Sequence, residues 1–300
     1  MKCSIYISNS ELEYVMGEIT GNNILISKAG KIPFEPDTIE KGVIRKEEAF
    51  QNAVKSMCTR IGVLPKQIDV LVVDDVVLTK AIEVPILSQR KLLEIVKREL
   101  EEFIDAQKEY VYDYSVIQER IPGTQAGRIL CGGISREVLS QYKQLLDECG
   151  VHAVTLDVAA HAQVRLMEQM EDKKGETFIL GVMEGFILRV SLYVKGRMIY
   201  HSTSKVTERD NLGLISELTR VLSSFIQFNQ SQKNDTDVAA IYLCGMHEEE
   251  EKFCQNITIT LGIKTQLLSN TSGTVVIQAQ EDEGYSLQQY VYTTGNLYRR

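Results

Sequence analysis

The side chains best suited to chemistry are spread along this 300-residue chain rather than grouped. The histidines stand apart from one another, and the six cysteines contain no Cys-x-x-Cys pair. Zinc sites and activated nucleophiles are usually marked by closely spaced motifs such as His-Glu-x-x-His or Gly-x-Ser-x-Gly, and neither motif occurs here. Local motifs therefore predict no metal ligand and no catalytic residue. The histidines are His152, His161, His201 and His247.

Two short motifs invite a ligand-binding interpretation, and each has a simpler one. Cys131-Gly132-Gly133 is glycine-rich, but a phosphate loop needs the longer pattern Gly-x-x-x-x-Gly-Lys-Ser/Thr, so a turn between a strand and a helix is favoured. His247 precedes four glutamates, and acidic side chains suit the positive end of a helix dipole. Neither motif predicts a cofactor.

The charge and composition of the chain narrow the class of protein. There are 33 Lys and Arg against 41 Asp and Glu, giving a net charge of −8, so no overall positive field would attract nucleic acid. Polar residues at 8–11 interrupt the start of the chain before an apolar signal segment could form. Apolar runs such as 70–73 are far shorter than the roughly 20 residues of a membrane span. We therefore expect a reduced, cytoplasmic protein.

The predicted strands and helices that must position these side chains occur in the same order in the two halves of the chain. In the first half, strands are predicted at 4–8, 12–20 and 24–29, a helix at 46–61 and a buried strand at 68–73. In the second half, strands are predicted at 177–182, 186–194 and 198–202, a helix at 212–230 and a buried strand at 238–244. A helix at 247–261, strands at 265–268 and 274–280, and a helix at 286–298 complete the chain. The repetition predicts a duplicated α/β fold.

The two halves are separated by a predicted β-α-β-β-α block. It comprises a strand at 76–84, an amphipathic helix at 88–104, strands at 110–118 and 128–131, and a helix at 135–149. A helix at 158–170 then leads to a charged link at 171–175, which is typical of a domain boundary. We divide the chain into residues 1–75 with 151–173, an inserted subdomain at 76–150, and a second unit at 174–300.

This order resembles the actin-like (ribonuclease H-like) ATPase fold of the PilM family of type IV pilus assembly proteins, which is similar to FtsA. Three passages carry the likeness: Gly42-Val43-Ile44 before the first helix, residues 78–88 with 112–117, and residues 150–160. The resemblance implies that the three units correspond to subdomains called 1A, 1C and 2A. It also implies a cytoplasmic scaffold of a type IV pilus or a type II secretion-like assembly.

The resemblance further implies a nucleotide site, but this sequence departs from the family there. In the first phosphate hairpin, Tyr6 stands at the family's aspartate position, Ser8 at its glycine and Glu13 at its downstream lysine. Asn9 belongs to the same turn. We therefore expect a vestigial nucleotide cleft, no bound cofactor and no ATPase activity.

The second half departs in the same way. Its phosphate hairpin has Glu184 rather than an aspartate, and the glycine-rich adenosine motif keeps only Gly245. Only residues 203–211 separate the second hairpin from the next helix, too few for the family's subdomain 2B, so we expect 2B to be absent.

Two hypotheses remain open at this cleft. Tyr6 either points into the space between the halves, where Tyr6→Ala would cost about 2 to 4 kcal/mol, or packs on the outer face of the first sheet. The alternative to a nucleotide-free protein is a divergent ATPase or small-molecule kinase that still binds Mg-ATP. In that case Asp157, Glu184 and Asp210 are the expected magnesium ligands.

The resemblance implies a protein partner as well. In the family, the cytoplasmic N-terminal tail of the membrane protein PilN docks between the main subdomain and the inserted one. We place this groove on the strand at 76–84 and the helix at 92–104, while the alternative is that the same apolar stripe packs against its own sheet. The resemblance also allows contacts with the pilus ATPase or other assembly components, and contact with the inner face of the cell membrane only through the partner. The expected groove residues are Val76, Leu78, Ala81, Ile82, Leu92, Val96, Leu100 and Phe103.

Overall fold

The computed structural model describes residues 1–21, 23–121, 123–207, 211–232, 236–246, 252–272, 275–279 and 284–299. The first half contains β1 (Lys2–Ile7), β2 (Glu11–Thr20), β3 (Asn23–Pro33), the short strands β4 (Ile39–Glu40) and β5 (Val43–Ile44), α1 (Glu47–Ile61) and β6 (Ile68–Val72). β1, β2 and β3 form an antiparallel meander, and β6 pairs with β1 in parallel. All five residues of β6 are buried, as expected for a strand covered on both faces.

The inserted block contains β7 (Val77–Pro85), α2 (Gln89–Leu100), β8 (Tyr110–Gln118), β9 (Ala126–Ser135) and α3 (Arg136–Glu148). Its strands form a three-stranded antiparallel sheet in the order β7-β9-β8. The helix α3 returns to the first half, where the Tyr142 hydroxyl donates to the Gly42 carbonyl at 2.7 Å and the ring meets Phe50 edge-on. The block is therefore anchored to the main subdomain by its last helix.

The chain continues with β10 (Thr155–Val158), which pairs in parallel with β6, and α4 (Ala159–Gln169). The second half contains β11 (Phe178–Glu184), β12 (Ile187–Val194), β13 (Arg197–Lys205), α5 (Asn211–Ser231), β14 (Ala240–Cys244), α6 (Phe253–Leu261) and β15 (Lys264–Leu267). These strands form a five-stranded sheet in the order β13-β12-β11-β14-β15. β13 ends at Lys205, and α5 begins at Asn211.

The last part of the chain crosses back to the first half. Strands β16 (Thr271–Ser272) and β17 (Val275–Ala279) extend the first sheet, because β17 pairs in parallel with β3. The first sheet therefore has seven strands in the order β10-β6-β1-β2-β3-β17-β16. Helix α7 (Val291–Asn296) packs with α4, and Gly295 approaches so closely that a Cβ there would lie 2.2 Å from the Ala162 carbonyl oxygen. The division at 173/174 stays a prediction; β16 and β17, which lie in its second unit, belong to the first sheet.

Most expected elements are present, with differences at their ends. The long helices and the buried strands at 68–72 and 240–244 are confirmed. The expected helix at 247–261 begins at Phe253, and its first residues, 247–251, lie outside the described part of the chain. The strand β10 was not expected. No helix within the described residues is long and apolar enough to cross a membrane.

Candidate functional site

A cleft of about 870 Å³ lies between the two halves. Its walls come from the β1–β2 turn, the end of β11, the residues after β15 and the segment at 284–292. The structure brings five of the six residues expected at the vestigial nucleotide cleft to this wall: Tyr6, Ser8, Glu13, Glu184 and Gly245. That a nucleotide once occupied this space stays a prediction.

The side chain of Tyr6 joins the two halves. Strand alternation places Ile5 and Ile7 in the core that contains α1, and it sends Tyr6 to the opposite face, where its side chain is 3% exposed. The Tyr6 hydroxyl donates to Glu184 Oε1 at 2.7 Å, and its ring meets Tyr292 edge-on at 5.1 Å. Of the two hypotheses for Tyr6, the structure therefore supports the one that places it between the halves.

Glu184 also belongs to a buried ion cluster centred on Arg189, a β12 residue that is 1% exposed. Arg189 Nε donates to Glu184 Oε2 at 3.1 Å, and Nη2 donates to Asp75 Oδ1 at 3.0 Å. Asp74 Oδ2 lies 3.9 Å from Nη1. We call Tyr6, Asp74, Asp75, Glu184 and Arg189 the Arg189 cluster. It links the end of β6 in the first half to β11 and β12 in the second.

The electrostatics of this cluster follow from burial and from the guanidinium charge. Burial raises the pKa of both Asp74 and Glu184, and the positive charge of Arg189 opposes this change. Burial alone would lower the pKa of Arg189, but Glu184 and the other acidic neighbours raise it, so this guanidinium stays protonated. The carboxylates are tolerated inside the protein because a cation lies among them.

Sequence reasoning missed three members of the cluster: Asp74, Asp75 and Arg189. A signal was present for each. Arg189 is the one charged residue of β12, and the two aspartates follow the fully buried β6 after a single valine, Val73. A charge inside a buried strand implies a buried partner of opposite sign, although the sequence does not show which one.

In the β1–β2 turn, polar side chains form hydrogen bonds with nearby backbone groups. Ser8 Oγ accepts hydrogen bonds from the backbone N–H groups of Ser10 and Glu11, at 3.2 and 3.0 Å. Asn9 does not line the cleft; its side chain donates to Asp75 Oδ2 and accepts from the Gly42 N–H, each at 2.7 Å. These two backbone N–H groups are therefore bonded within the turn itself.

Glu13 and Gly245 serve packing roles at the cleft. Glu13 is buried, and burial raises its pKa to about 7 although Lys31 and a hydrogen bond from Thr293 oppose this. Gly245 has φ of +72°, and a Cβ there would lie 2.0 Å from the Met183 carbonyl oxygen. Only glycine fits this close approach of β14 to β11.

The expected magnesium ligands are bonded to other protein groups where the structure describes them. Asp157 contacts His161 Nδ1 at 2.7 Å, Arg165 Nη1 at 2.9 Å and the guanidinium of Arg299. Glu184 is held in the Arg189 cluster, and Asp210 lies outside the described residues. In the described part of the chain, no group of three or more His, Cys, Asp or Glu side chains could hold a metal ion.

The expected partner groove needs correction. Leu92, Val96 and Leu100 are buried in the core of the inserted subdomain, and Leu78 and Ile82 pack partly against the same core. Val76 packs against the core of the first half, whereas Ala81 and Phe103 are exposed. The stripe on α2 therefore covers its own sheet, which is the alternative stated above.

A smaller crevice lies where the inserted sheet meets the first sheet, and we call it the inter-subdomain crevice. It measures about 120 Å³. Val72, Leu156 and Val158 line it from the first half, and Val77, Tyr112 and Leu139 line it from the inserted block. Val111, Ile134, and Gly132 and Gly133 of β9, together with Asp113, Asp157 and His161, complete the lining. Sequence reasoning missed this site because it is formed by residues from seven separate elements.

The architecture of two α/β halves around a cleft, with a third sheet inserted in the first half, defines the class of actin-like folds. The solved structure of a "PilM-PilN type IV pilus biogenesis complex" matches with a TM-score of 0.79 at 15% identity, covering 99% of this chain and 96% of that one. An actin-like ATPase fold protein of unknown function from Bacteroides thetaiotaomicron matches with a TM-score of 0.54 at 10% identity, covering 100% and 96%. The cytoplasmic domain of EpsL, an inner membrane component of the type II secretion system of Vibrio cholerae, matches with a TM-score of 0.52 at 12% identity, covering 99% and 95%.

Residues 4–207 match the family described as "Type IV pilus assembly protein PilM". The chain belongs to this family, so the expected family and the expected actin-like fold are both confirmed. No curated protein matches the sequence.

Proposed function

We propose that this PilM-family protein is a nucleotide-free scaffold of a type IV pilus or related secretion assembly. It binds the cytoplasmic N-terminal tail of a PilN-like inner-membrane protein at the inter-subdomain crevice. The observation that carries the proposal is this apolar crevice between the main subdomain and the inserted one. The protein is then cytoplasmic and reaches the inner face of the cell membrane through its partner.

The shape of the crevice supports a single anchor side chain rather than a buried peptide. Its volume of about 120 Å³ equals roughly four water molecules at about 30 Å³ each. A Cβ on Gly132 would find only the Asp113 carbonyl oxygen at 3.8 Å and a Val77 methyl at 3.9 Å, so the β9 backbone leaves space there. An extended tail crossing the crevice would place one apolar side chain between Val77 and Leu156, and the rest of the tail would lie on the surface.

The first experiment is a calorimetric titration of the protein with a peptide of the partner's N-terminal tail. We expect micromolar binding by the wild type, and at least 10-fold weaker binding by Gly132→Val, because its methyl groups fill part of the crevice. Ala81→Glu is the matched control, since Ala81 is exposed on β7 at the groove first expected. Absence of wild-type binding at high micromolar peptide would contradict the proposal. If Ala81→Glu loses binding and Gly132→Val does not, the tail binds on β7 instead of in the crevice.

The absence of nucleotide is a separate part of the proposal. It is supported by Tyr6, Glu184 and Arg189, which bond to one another where the family's phosphate hairpins face each other. A ligand present at 100 times its Kd stabilises a protein by about 2.7 kcal/mol, which raises the melting temperature by several degrees. We expect no shift with 1 mM Mg-ATP, where a Kd of about 10 μM would give that increase. A shift of this size would favour the divergent ATPase or kinase instead.

A further inference from the structure

We infer that a groove between the inserted subdomain and the second half binds an acidic segment of a partner protein in an extended conformation. We call it the basic groove, and its volume is about 780 Å³. Residues 116–120 line it from the inserted subdomain, residues 174–175 and 195–197 line it from the second half, and Glu168 of α4 completes the lining. None of these residues lines the cleft or the inter-subdomain crevice, so the inference goes beyond the proposed function.

The charge of the basic groove is opposite in sign to that of the chain as a whole, whose net charge is −8. Its lining carries the cations Arg120, Lys174, Lys195 and Arg197 and the carboxylates Glu119 and Glu168. Glu168 lies within electrostatic reach of Arg165 and Arg197. Lys174 forms an ion pair with Glu171, but within the described residues none of the other three cations forms one. All four cations are exposed, so they can attract and contact an acidic ligand.

The cations of the second half lie on or beside a well-fixed turn. Lys195 and Gly196 join β12 to β13, and their φ values of +51° and +75° are those of a tight two-residue hairpin turn. The Gly196 N–H donates to the Glu176 carbonyl at 2.7 Å, and the Lys195 N–H donates to Thr177 Oγ1 at 3.2 Å. The backbone positions of Lys195 and Arg197 are therefore set before a ligand binds, which reduces the entropy cost of binding.

The basic groove lies beside two sheet edges. β8 is an edge strand of the inserted sheet, β13 is an edge strand of the five-stranded sheet, and the two strands approach each other here. Three successive residues at the end of β8, 116–118, line the groove, although successive side chains of a strand point to opposite faces. The groove therefore meets β8 at its edge, where backbone N–H and C=O groups can pair with an added strand.

Apolar surface lies among the cations. Val116 is 46% exposed at the groove, whereas the next residue, Ile117, is buried in the core that contains α4 and so fixes the end of β8. Because side chains alternate along an extended segment, acidic residues can reach the cations while an apolar residue covers Val116. A phosphate ion or a nucleic acid backbone would leave Val116 exposed to water. The basic groove therefore favours a segment in which acidic and apolar residues alternate.

A fluorescein-labelled hexapeptide, Glu-Val-Glu-Val-Glu-Val, is the probe, and fluorescence anisotropy measures its binding to the full chain. We expect a Kd below about 200 μM at about 50 mM salt, and roughly 5-fold weaker binding at about 300 mM, because salt screens exposed charges. Matched peptides with Gln or Lys in place of Glu should bind at least about 10-fold more weakly.

Charge reversal on the turn tests where the probe binds. We expect Lys195→Glu combined with Arg197→Glu to bind the acidic peptide at least about 10-fold more weakly than the wild type. Lys55→Glu combined with Lys66→Glu is the matched control, because both lysines are exposed and lie outside the lining, and the net charge changes equally. The control should bind within about 2-fold of the wild type. Urea unfolding of each variant checks that it is folded.

A third measurement tests the extended conformation without changing the protein. Successive N–H groups of a strand point to opposite sides, so N-methylation of all valines or of all glutamates blocks one side at a time. At least one of these two peptides should bind roughly 10-fold more weakly than the parent peptide.

Several outcomes would overturn the inference. These are no binding of the acidic peptide by the wild type, equal weakening in the two double variants, or equal binding of the Lys peptide. Unchanged binding of both N-methylated peptides would exclude an added strand. Displacement of the probe by inorganic tripolyphosphate at lower concentration than by unlabelled peptide would identify a phosphate site instead. Self-association of the wild type that Lys195→Glu with Arg197→Glu abolishes would identify a second copy of this chain as the occupant. The same double variant should bind the tail peptide of the proposed function as the wild type does, so either proposal can fail alone.

Discussion

Removing the guanidinium of Arg189 tests how the two halves of the protein are held together. Arg189→Met keeps most of the side-chain stem and deletes the only cation of the Arg189 cluster. The deletion leaves Glu184 and Asp75 without their bonds at 3.1 and 3.0 Å, and it leaves Asp74 without the charge 3.9 Å away. These acidic groups would then repel one another in a buried site.

The expected loss of stability follows from this geometry. Breaking a buried ion pair by removing one partner costs about 3 to 5 kcal/mol, because the remaining charge is buried without compensation. Asp75 is partly solvated and keeps its bond from Asn9, which limits the loss. Glu184 keeps its hydrogen bond from the Tyr6 hydroxyl, but Asp74 and Glu184 are more buried than Asp75 and lose the charge that neutralises them. We expect Arg189→Met to lower the free energy of unfolding by about 3 to 5 kcal/mol at pH 7.

The loss of stability in Arg189→Met should depend on pH in a direction that the pKa shifts determine. Burial raises the pKa of Asp74 and Glu184 in the folded protein, and Arg189 opposes that rise. Without Arg189 both pKa values rise further, so the folded variant takes up protons as the pH falls from 7 to 5, before the unfolded chain does. The state that binds more protons gains stability on acidification. The difference in the free energy of unfolding between the wild type and Arg189→Met should therefore be smaller at pH 5 than at pH 7.

Urea unfolding at pH 7 and pH 5 measures both effects, provided that the m-value stays constant. Arg90→Met is the matched control, because the Arg90 side chain is 92% exposed and its ion pair with Glu94 is 3.8 Å long, so it should change stability by less than about 0.5 kcal/mol. A loss below about 1 kcal/mol for Arg189→Met would refute the reasoning, as would a difference that widens at pH 5.

Three further predictions concern the walls of the cleft. Tyr6→Ala should destabilise the protein by about 2 to 4 kcal/mol and Tyr6→Phe by about 1 kcal/mol in urea unfolding, and equal losses would show that the hydroxyl rather than the ring matters. Gly245→Ala should cost clearly more than Gly262→Ala, since both have positive φ but a Cβ meets backbone only at Gly245; similar melting temperatures would contradict the clash. Burial raises the pKa of Glu13 to about 7, so the protonated carboxyl stabilises the folded protein at low pH and this stability is lost as the pH rises through 7. Glu13→Gln does not titrate. Its free energy of unfolding should therefore increase relative to that of the wild type between pH 5 and pH 8. If the difference in the free energy of unfolding between Glu13→Gln and the wild type is constant from pH 5 to pH 8, the prediction for Glu13 is wrong.

Local patterns in the sequence predicted the elements well where periodicity was strong. The helix α1 buries Phe50, Val54 and Met57 as its spacing indicated, and Gly62 ends it with φ of +80°. The strand β17 was expected, but its partner was not, because the pairing of residue 276 with residue 23 leaves no local signal.

Local sequence patterns were also insufficient at the candidate site, where the contacts join residues that are far apart in the sequence. Strand alternation offered two faces for Tyr6, and only its contact with Glu184, 178 residues away, distinguishes them. The apolar stripe of α2 was predicted correctly as a stripe, but its periodicity is the same whether it covers its own sheet or a partner. The sequence could place a charge such as Arg189 inside a strand, but not the aspartates of another element that neutralise it.

The return of the chain to the first half has a consequence for the order of folding. Asn296 in α7 donates to Ser4 Oγ at 3.2 Å, and the Lys2 ammonium donates to the Leu297 carbonyl at 3.2 Å. During synthesis, the face of β1 that carries Ser4 and Tyr6 must therefore wait for residues 291–297 to emerge before it is covered. Closing loops of almost 300 residues is entropically costly, so we expect slow, late completion of the first half. Until then, the exposed inner face of β1 is a surface that a chaperone would recognise.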